Sequence, residues 1–483
     1  MKTILHYAVV AGLALLIASC SGSGKKEVKT EKPKELTEME KKVAEYAEVT
    51  LSVDLSHLSD RDRQMISKLM DVADIMDELF WLDAIGDKNE FLSQIKDSAT
   101  RRFAEINYGP WDRLDGNKAF VEGYGEKPAG ANYYPADITD EEFEAWKNKD
   151  KLDWYSLVRR DEKGNLMLVK YHEAYAVQIE KAASLLEEAA ELCDNAGFKK
   201  YLLLRAEALR TDEYLMSDLA WMEMKDNPVD FVVGPIESYE DGFKGARAAH
   251  SGQILVKDIE WSKNIERFNA VLPELQAGLP VPPEYKKEKP AAGGDMNVYD
   301  VVYYGGDCNS GSKNIAINLP NDPRVHATKG SRKLQLKNAM QAKFDKILVP
   351  IANLLIEDAQ LKHIKFEEAF FQNVMFHEVA HGLGVKYTLK GHKSIREVLE
   401  AYYSPIEEAK ADIAGLYMVT QLYEKGEFPG KDLMDNYVTF LAGIFRSVRF
   451  GVSSSHGKAN MIEFYYLKEK GAFIRNPDTG KYS

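Results

Sequence analysis

Residues 376–384 read FHEVAHGLG, and this stretch decides how the rest of the chain is read. His377 and His381 stand four positions apart, with Glu378 directly after the first. The longer run KFEEAFFQNVMFHEVAHGLG (365–384) spaces its apolar residues as a helix does, and Gly382 and Gly384 supply an exit. Residues four apart stack on one helix face, so both imidazoles can address one ion. Glu378 is rotated by about 100° from His377. Its carboxylate falls beside such an ion, where it can hold a water.

A catalytic zinc keeps three protein ligands and one open position. The third ligand is sought on the next predicted helix, SPIEEAKADIAGLY (404–417), which opens on Ser404-Pro405. Glu407 and Glu408 compete for the role. Glu408 has Asp412 four residues on, on its own face, whereas the matching position for Glu407 is Ala411. A zinc-bound histidine wants an acid on its other ring nitrogen. The expected centre is one Zn2+ per chain held by His377, His381 and Glu408, with Asp412 orienting a histidine and Glu407 as a possible second such partner.

The whole chain is compatible with this chemistry. It has 483 residues, 45% hydrophobic and 29% charged, enough for more than one domain. A net charge of −13 argues against a nucleic-acid partner, which needs a basic surface. Residues 1–19 read as a signal peptide, with an apolar run after Lys2 and small residues before Cys20. The ending Ile17-Ala18-Ser19-Cys20 resembles a bacterial lipobox, which implies lipidation at Cys20. Ser21 behind it points to the outer membrane, and so to a lipid-anchored place in the bacterial cell envelope. Residues 20–35 read as a flexible tether. Cys193 and Cys308 show no metal spacing and are expected as buried apolar residues.

Residues 36–225 are mostly helical, with a loop-rich insertion at 107–150 that carries INYGPWDRLDGN and KPAGANYYPAD. A mixed region follows at 226–345. Strands are expected at 231–240, 252–258, 297–306, 313–320 and 332–338, where the period changes towards two. Residues 346–483 return to helix and carry the zinc motif. The fold class is α+β, predominantly helical, in two lobes. One lobe bears the zinc; the other contains a smaller mixed sheet or barrel.

His377-Glu378-Val379-Ala380-His381 together with Glu407-Glu408-Ala409-Lys410-Ala411-Asp412 resembles the dipeptidyl peptidase III family of zinc metallopeptidases. GPIESYEDGF (234–243), KNIAINLPND (313–322) and HGKAN (456–460) are similar to further family segments. The resemblance covers roughly residues 225–470. It implies that His456 helps stabilise the transition state and that Glu237, Asn314 and Asn318 meet the substrate's free amine. The family's better-known members have one more residue between the histidines. Asn460 stands where they carry arginine, and DFVV (230–233) holds no tyrosine where one is expected.

The function so implied is hydrolysis of peptide bonds in short peptides, exopeptidase or dipeptidyl-peptidase-like. Zinc activates a water, and Glu378 serves as general base. Arg446 and Arg449, in FRSVRFG, either meet a substrate carboxylate or pair with acids. Two other readings stay open: a catalytically silent zinc lipoprotein that binds peptides, and a zinc hydrolase acting on a non-peptide amide.

Overall fold

The computed structural model describes residues 35–289, 295–311, 313–399, 402–449, 451 and 454–483. The expected signal peptide, Cys20 and nearly all of the tether lie outside the described residues.

Helix α1 (Asp60–Ala84) opens on a reciprocal cap, in which Ser59 and Asp62 each accept the other's backbone N–H. Its inner face buries Leu69, Val72, Ala73, Met76 and Leu79 completely, at helical spacing. That face lies on a five-stranded sheet built from β1 (Val229–Glu237), β2 (Ala249–Lys257), β3 (Asp295–Gly306), β4 (Ala316–Leu319) and β5 (Arg332–Leu336). The strand order is β1-β2-β3-β5-β4. The pair β3/β5 is parallel and the other pairs are antiparallel. The sheet is open, with β1 and β4 at its edges, so the barrel alternative does not hold. Strand β4 is shorter than the expected 313–320; Pro320, which has no N–H to give a ladder, ends it. Side chains at Gly252 and Gly305 would collide with the backbone of Ala73, so α1 lies this close only because those residues are glycines.

Packing divides the chain into two cores. The first joins α1, the helices α2 (Ala176–Leu192) and α3 (Ala196–Thr211), and most of the sheet. The second joins the helices of residues 259–278 to those beyond Lys337, around Phe268, Leu348, Phe371, Phe376, Met418 and Val419. The helices at 259–278 therefore leave the sheet that precedes and follows them and pack in the other lobe. A hairpin, Ser156–Arg160 with Leu166–Lys170, interrupts the expected helical stretch 36–225.

The loop-rich segment 107–150 is tied down. Tyr133 and Tyr134 are buried, and Tyr134 donates to Asp241 at 2.7 Å. Arg113 and Lys127 both grip Glu240, at 2.6 and 2.7 Å. The acids they hold, Glu240 and Asp241, lie just after β1 in the second half of GPIESYEDGF, so the two motif-rich segments brace one another.

Candidate metal centre and active-site cleft

Three helices of the second lobe build the centre. Helix α4 (Gln372–Ala380) carries His377 and Glu378, and His381 caps its end in a helical conformation. The His381 N–H still reaches the His377 carbonyl at 3.2 Å, so the pair keeps regular spacing. The expected helix is regular only from Gln372. Residues Phe366–Phe371 form a wider π turn that sets Phe370 and Phe371 into the second core. Helix α5 (Tyr403–Glu424) carries Glu407, Glu408 and Asp412. Between α5 and the centre's last helix runs α6 (Leu433–Val448). Helix α7 (Ser455–Glu469), capped by Ser454, brings His456 and Asn460.

Each ring's Nδ1 is held by an acid of α5. His377 pairs with Asp412 at 2.7 Å and His381 with Glu407 at 3.0 Å. Both Nε2 atoms then face inward, 3.2 Å apart. Glu408 Oε2 lies 3.3 Å from His377 Nε2, 3.8 Å from His381 Nε2 and 3.2 Å from His456 Nδ1. This oxygen is buried and has no hydrogen-bond partner. Ligand atoms of His377, His381 and Glu408 all lie within 4.8 Å of one another. Two nitrogens bound about 2.0–2.1 Å from one tetrahedral zinc stand about 3.3 Å apart. An orphaned carboxylate oxygen and two converging lone pairs at these spacings fit a divalent cation, and Glu408, not Glu407, faces it.

The charges tell the same story. Burial works against a charged His377, but Asp412 and Glu408 overcome it and push its pKa up to about 10. Burial also opposes the Glu408 carboxylate, yet His377 and His456 hold it well below the ordinary range.

The outer contacts are specific. Lys410 donates to Glu407 at 2.6 Å and to the Leu383 carbonyl at 3.0 Å, locking the chain after His381. Asn460 donates to Asp412 at 2.8 Å and to the buried Glu463 at 3.0 Å. The residue standing in place of an arginine is thus committed to the acid behind His377. Replacing Asp412 with alanine is expected to weaken metal binding about 10- to 100-fold, because the His377 ring loses its orienting acceptor. Competition with a graded chelator measures this, and an unchanged affinity would remove Asp412 from the role.

A cavity of about 310 Å³ opens beside the cluster. His377, Glu378 and His456 line one side, Gln335 and Ala316 of the sheet another, and Arg446 of α6 a third. Glu378 is outside the three-ligand cluster, and Lys333 of β5 donates to it at 3.0 Å across the lobes. Sequence reading missed Lys333, although the alternation of β5 places it on the same face as Gln335. Its register partner on the edge strand is Asn318, which is exposed. Glu237 ends β1, where Asn321 donates to it at 3.0 Å, and burial raises its pKa. Asn321 was also missed. Asn314 uses its carbonyl to accept from Tyr304, and its side-chain oxygen is buried without a partner. Arg449 is exposed and donates to the Arg446 carbonyl at 3.0 Å. Residues 230–233 are buried in β1; in the following turn Tyr239 is 87% exposed. Cys193 and Cys308 are free thiols, and burial pushes the Cys308 thiol up to about 12.

Fold and cluster together are those of a two-lobed metallopeptidase. The model of peptidase family M49 matches residues 156–392, which include both histidines and stop short of Glu408. The solved dipeptidyl peptidase III of Caldithrix abyssi is 38% identical, with a TM-score of 0.86 over 92% of this chain and 87% of its own. That of Corallococcus sp. strain EGB is 36% identical, with a TM-score of 0.74 over 92% and 85%. The chain belongs to peptidase family M49, the dipeptidyl peptidase III family. Among curated relatives, Nudix hydrolase 3 of Arabidopsis thaliana is 31% identical over 91% of this chain, and human dipeptidyl peptidase 3 is 25% identical over 63%. The chain spans 65% of the plant protein's length and 47% of the human one's.

Proposed function

We propose that this protein is a zinc-dependent exopeptidase that cleaves short peptides near their N-termini, with dipeptide release as its first expected activity. The observation that carries the reading is the convergence of ligand atoms of His377, His381 and Glu408 within 4.8 Å of one another, with Glu378 beside the cluster. Two imidazoles and a carboxylate are a donor set suited to zinc. Bound there, zinc supplies an acidified water and polarises the scissile carbonyl.

The chain's own residues do the rest. Glu378 takes the water's proton at its carboxylate and returns it to the leaving amine. To do so it must share or lose the Lys333 ammonium, so substrate entry is coupled to the contact between lobes. His456, whose Nδ1 lies 3.2 Å from Glu408, donates to the developing oxyanion in this reading. Glu237 with Asn314 and Asn318 offers acceptors for a substrate's free amine. The lipobox-like Cys20 supports a lipid anchor in the bacterial envelope as part of the same proposal.

The test is to quantify bound zinc and to follow hydrolysis of dipeptidyl and single-aminoacyl arylamides. One zinc per chain with faster release from the dipeptidyl compounds is expected. Zinc without hydrolysis of any peptide would leave the silent peptide-binding reading; cleavage of non-peptide amides alone would leave the third.

A further inference from the structure

The wall of the metal cleft formed by α6 carries a charge that meets no counter-ion among the described residues. Arg446 stands in the last turn of α6, and its guanidinium lies over the Phe370 ring, 5.9 Å from the centroid. Its Nε is buried and makes no hydrogen bond. Two influences act on its charge, burial and then Arg449, and both disfavour it. Other cations lie close by: burial, then Arg446, Arg449 and Lys313, push Lys343 down to about 8. A desolvated cation among cations costs free energy unless an anion offsets it. Two buried arginines of this chain do meet an anion: Arg205 meets Asp218 at 2.6 Å and Arg332 meets Asp230 at 3.3 Å. Arg446 instead lines the same cavity as His377, Glu378 and His456, so its anion is one that arrives in that cavity.

We propose that Arg446 binds a carboxylate of the substrate, so that the enzyme selects short peptides whose negative charge falls just beyond the bond it cleaves. A planar guanidinium grips a carboxylate through paired hydrogen bonds, more strongly than it grips neutral groups. The inference rests on the peptidase reading, because it places a peptide in the cleft. Arg446 is a specificity-determining residue in this scheme and takes no part in bond breaking. A free C-terminus a residue or two past the cleaved bond and an acidic side chain at that place share the required chemistry.

Binding separates this proposal from the peptidase reading, since it needs no turnover. The protein used is the zinc-loaded Glu378→Gln variant, and the probes are tetra-alanine, tetra-alanine amide, and the amide with a terminal aspartate. Calorimetry is expected to show the free acid bound at least ~10-fold more tightly than its amide. Adding Arg446→Met should weaken the acid to the level of the amide and leave the amide unchanged. Arg446→Lys, which keeps the charge and loses the fork, should keep part of the preference, and zinc content with thermal unfolding confirms that both variants fold. An aspartate-bearing amide matching the free acid would assign the carboxylate to a side chain; one matching the plain amide would assign it to the C-terminus. Equal affinities for acid and amide, or an acid preference that survives Arg446→Met, would overturn the proposal. Failure of the wild-type protein to cleave peptides, with the binding preference intact, would count against the peptidase reading alone.

Discussion

Glu378→Ala is expected to remove peptide hydrolysis almost entirely, by ~10³-fold or more, while zinc stays bound at the wild-type stoichiometry. The separation of effects follows from geometry. The three converging ligand atoms belong to His377, His381 and Glu408, and Glu378 is not among them. Its carboxylate instead faces the cavity, where it accepts from Lys333 at 3.0 Å. Truncation leaves the Lys333 ammonium without that partner, but both side chains are about a quarter exposed, so water can take up the ammonium at small cost in stability. Metal analysis of purified protein, beside rates on a dipeptidyl arylamide, reads both quantities from one sample. Loss of zinc in the variant would mean that Glu378 is a ligand. Retention of more than a tenth of the activity would mean that another group accepts the proton.

The second large effect is expected at a residue that carries no functional group. Gly415→Ala should lower stability by about 2–3 kcal/mol and weaken zinc binding at least ~10-fold. Helices α4 and α5 touch at this glycine. A methyl group there would stand 2.7 Å from the His377 nitrogen, 2.9 Å from the Phe376 carbonyl carbon and 3.0 Å from the His377 Cα. All three are backbone atoms, which cannot rotate away as a side chain can. The helices must separate, and they separate at the residue that holds the first histidine. Glu408 and Asp412 precede Gly415 on nearly the same face of α5, so they move with it. Chelator competition and thermal unfolding of the zinc-loaded protein test both parts. Gly443→Ala is the control, since a methyl there meets no atom within 4 Å and alanine favours a helix. Wild-type metal affinity and unfolding temperature in Gly415→Ala would show that the helices have slack at this contact.

How much of this was legible in the chain varies with the length scale of the cause. The five strands overlap the segments expected from short runs rich in β-branched and aromatic residues between turn residues, a signal that consecutive residues carry by themselves. The hairpin at 156–170 was hidden by its short strands. The transfer of residues 259–278 to the second lobe was hidden as well, since an apolar helix face does not say which core will cover it. The segment GPIESYEDGF was legible as a motif. Its bracing by Arg113 and Lys127, more than a hundred positions upstream, was not.

At the centre itself, the sequence by itself determined the pairing of His377 with His381, the offset of Glu378, and the pairing of Glu408 with Asp412 on one face. Each follows from helix periodicity, a property of consecutive residues. Only the tertiary structure decided that these two helices meet through Gly415, that Lys333 reaches Glu378 from the other lobe, and that Arg446 lines the same cavity. Those contacts join segments far apart in the chain, and their geometry is set by how whole helices and a sheet pack, which no local repeat encodes.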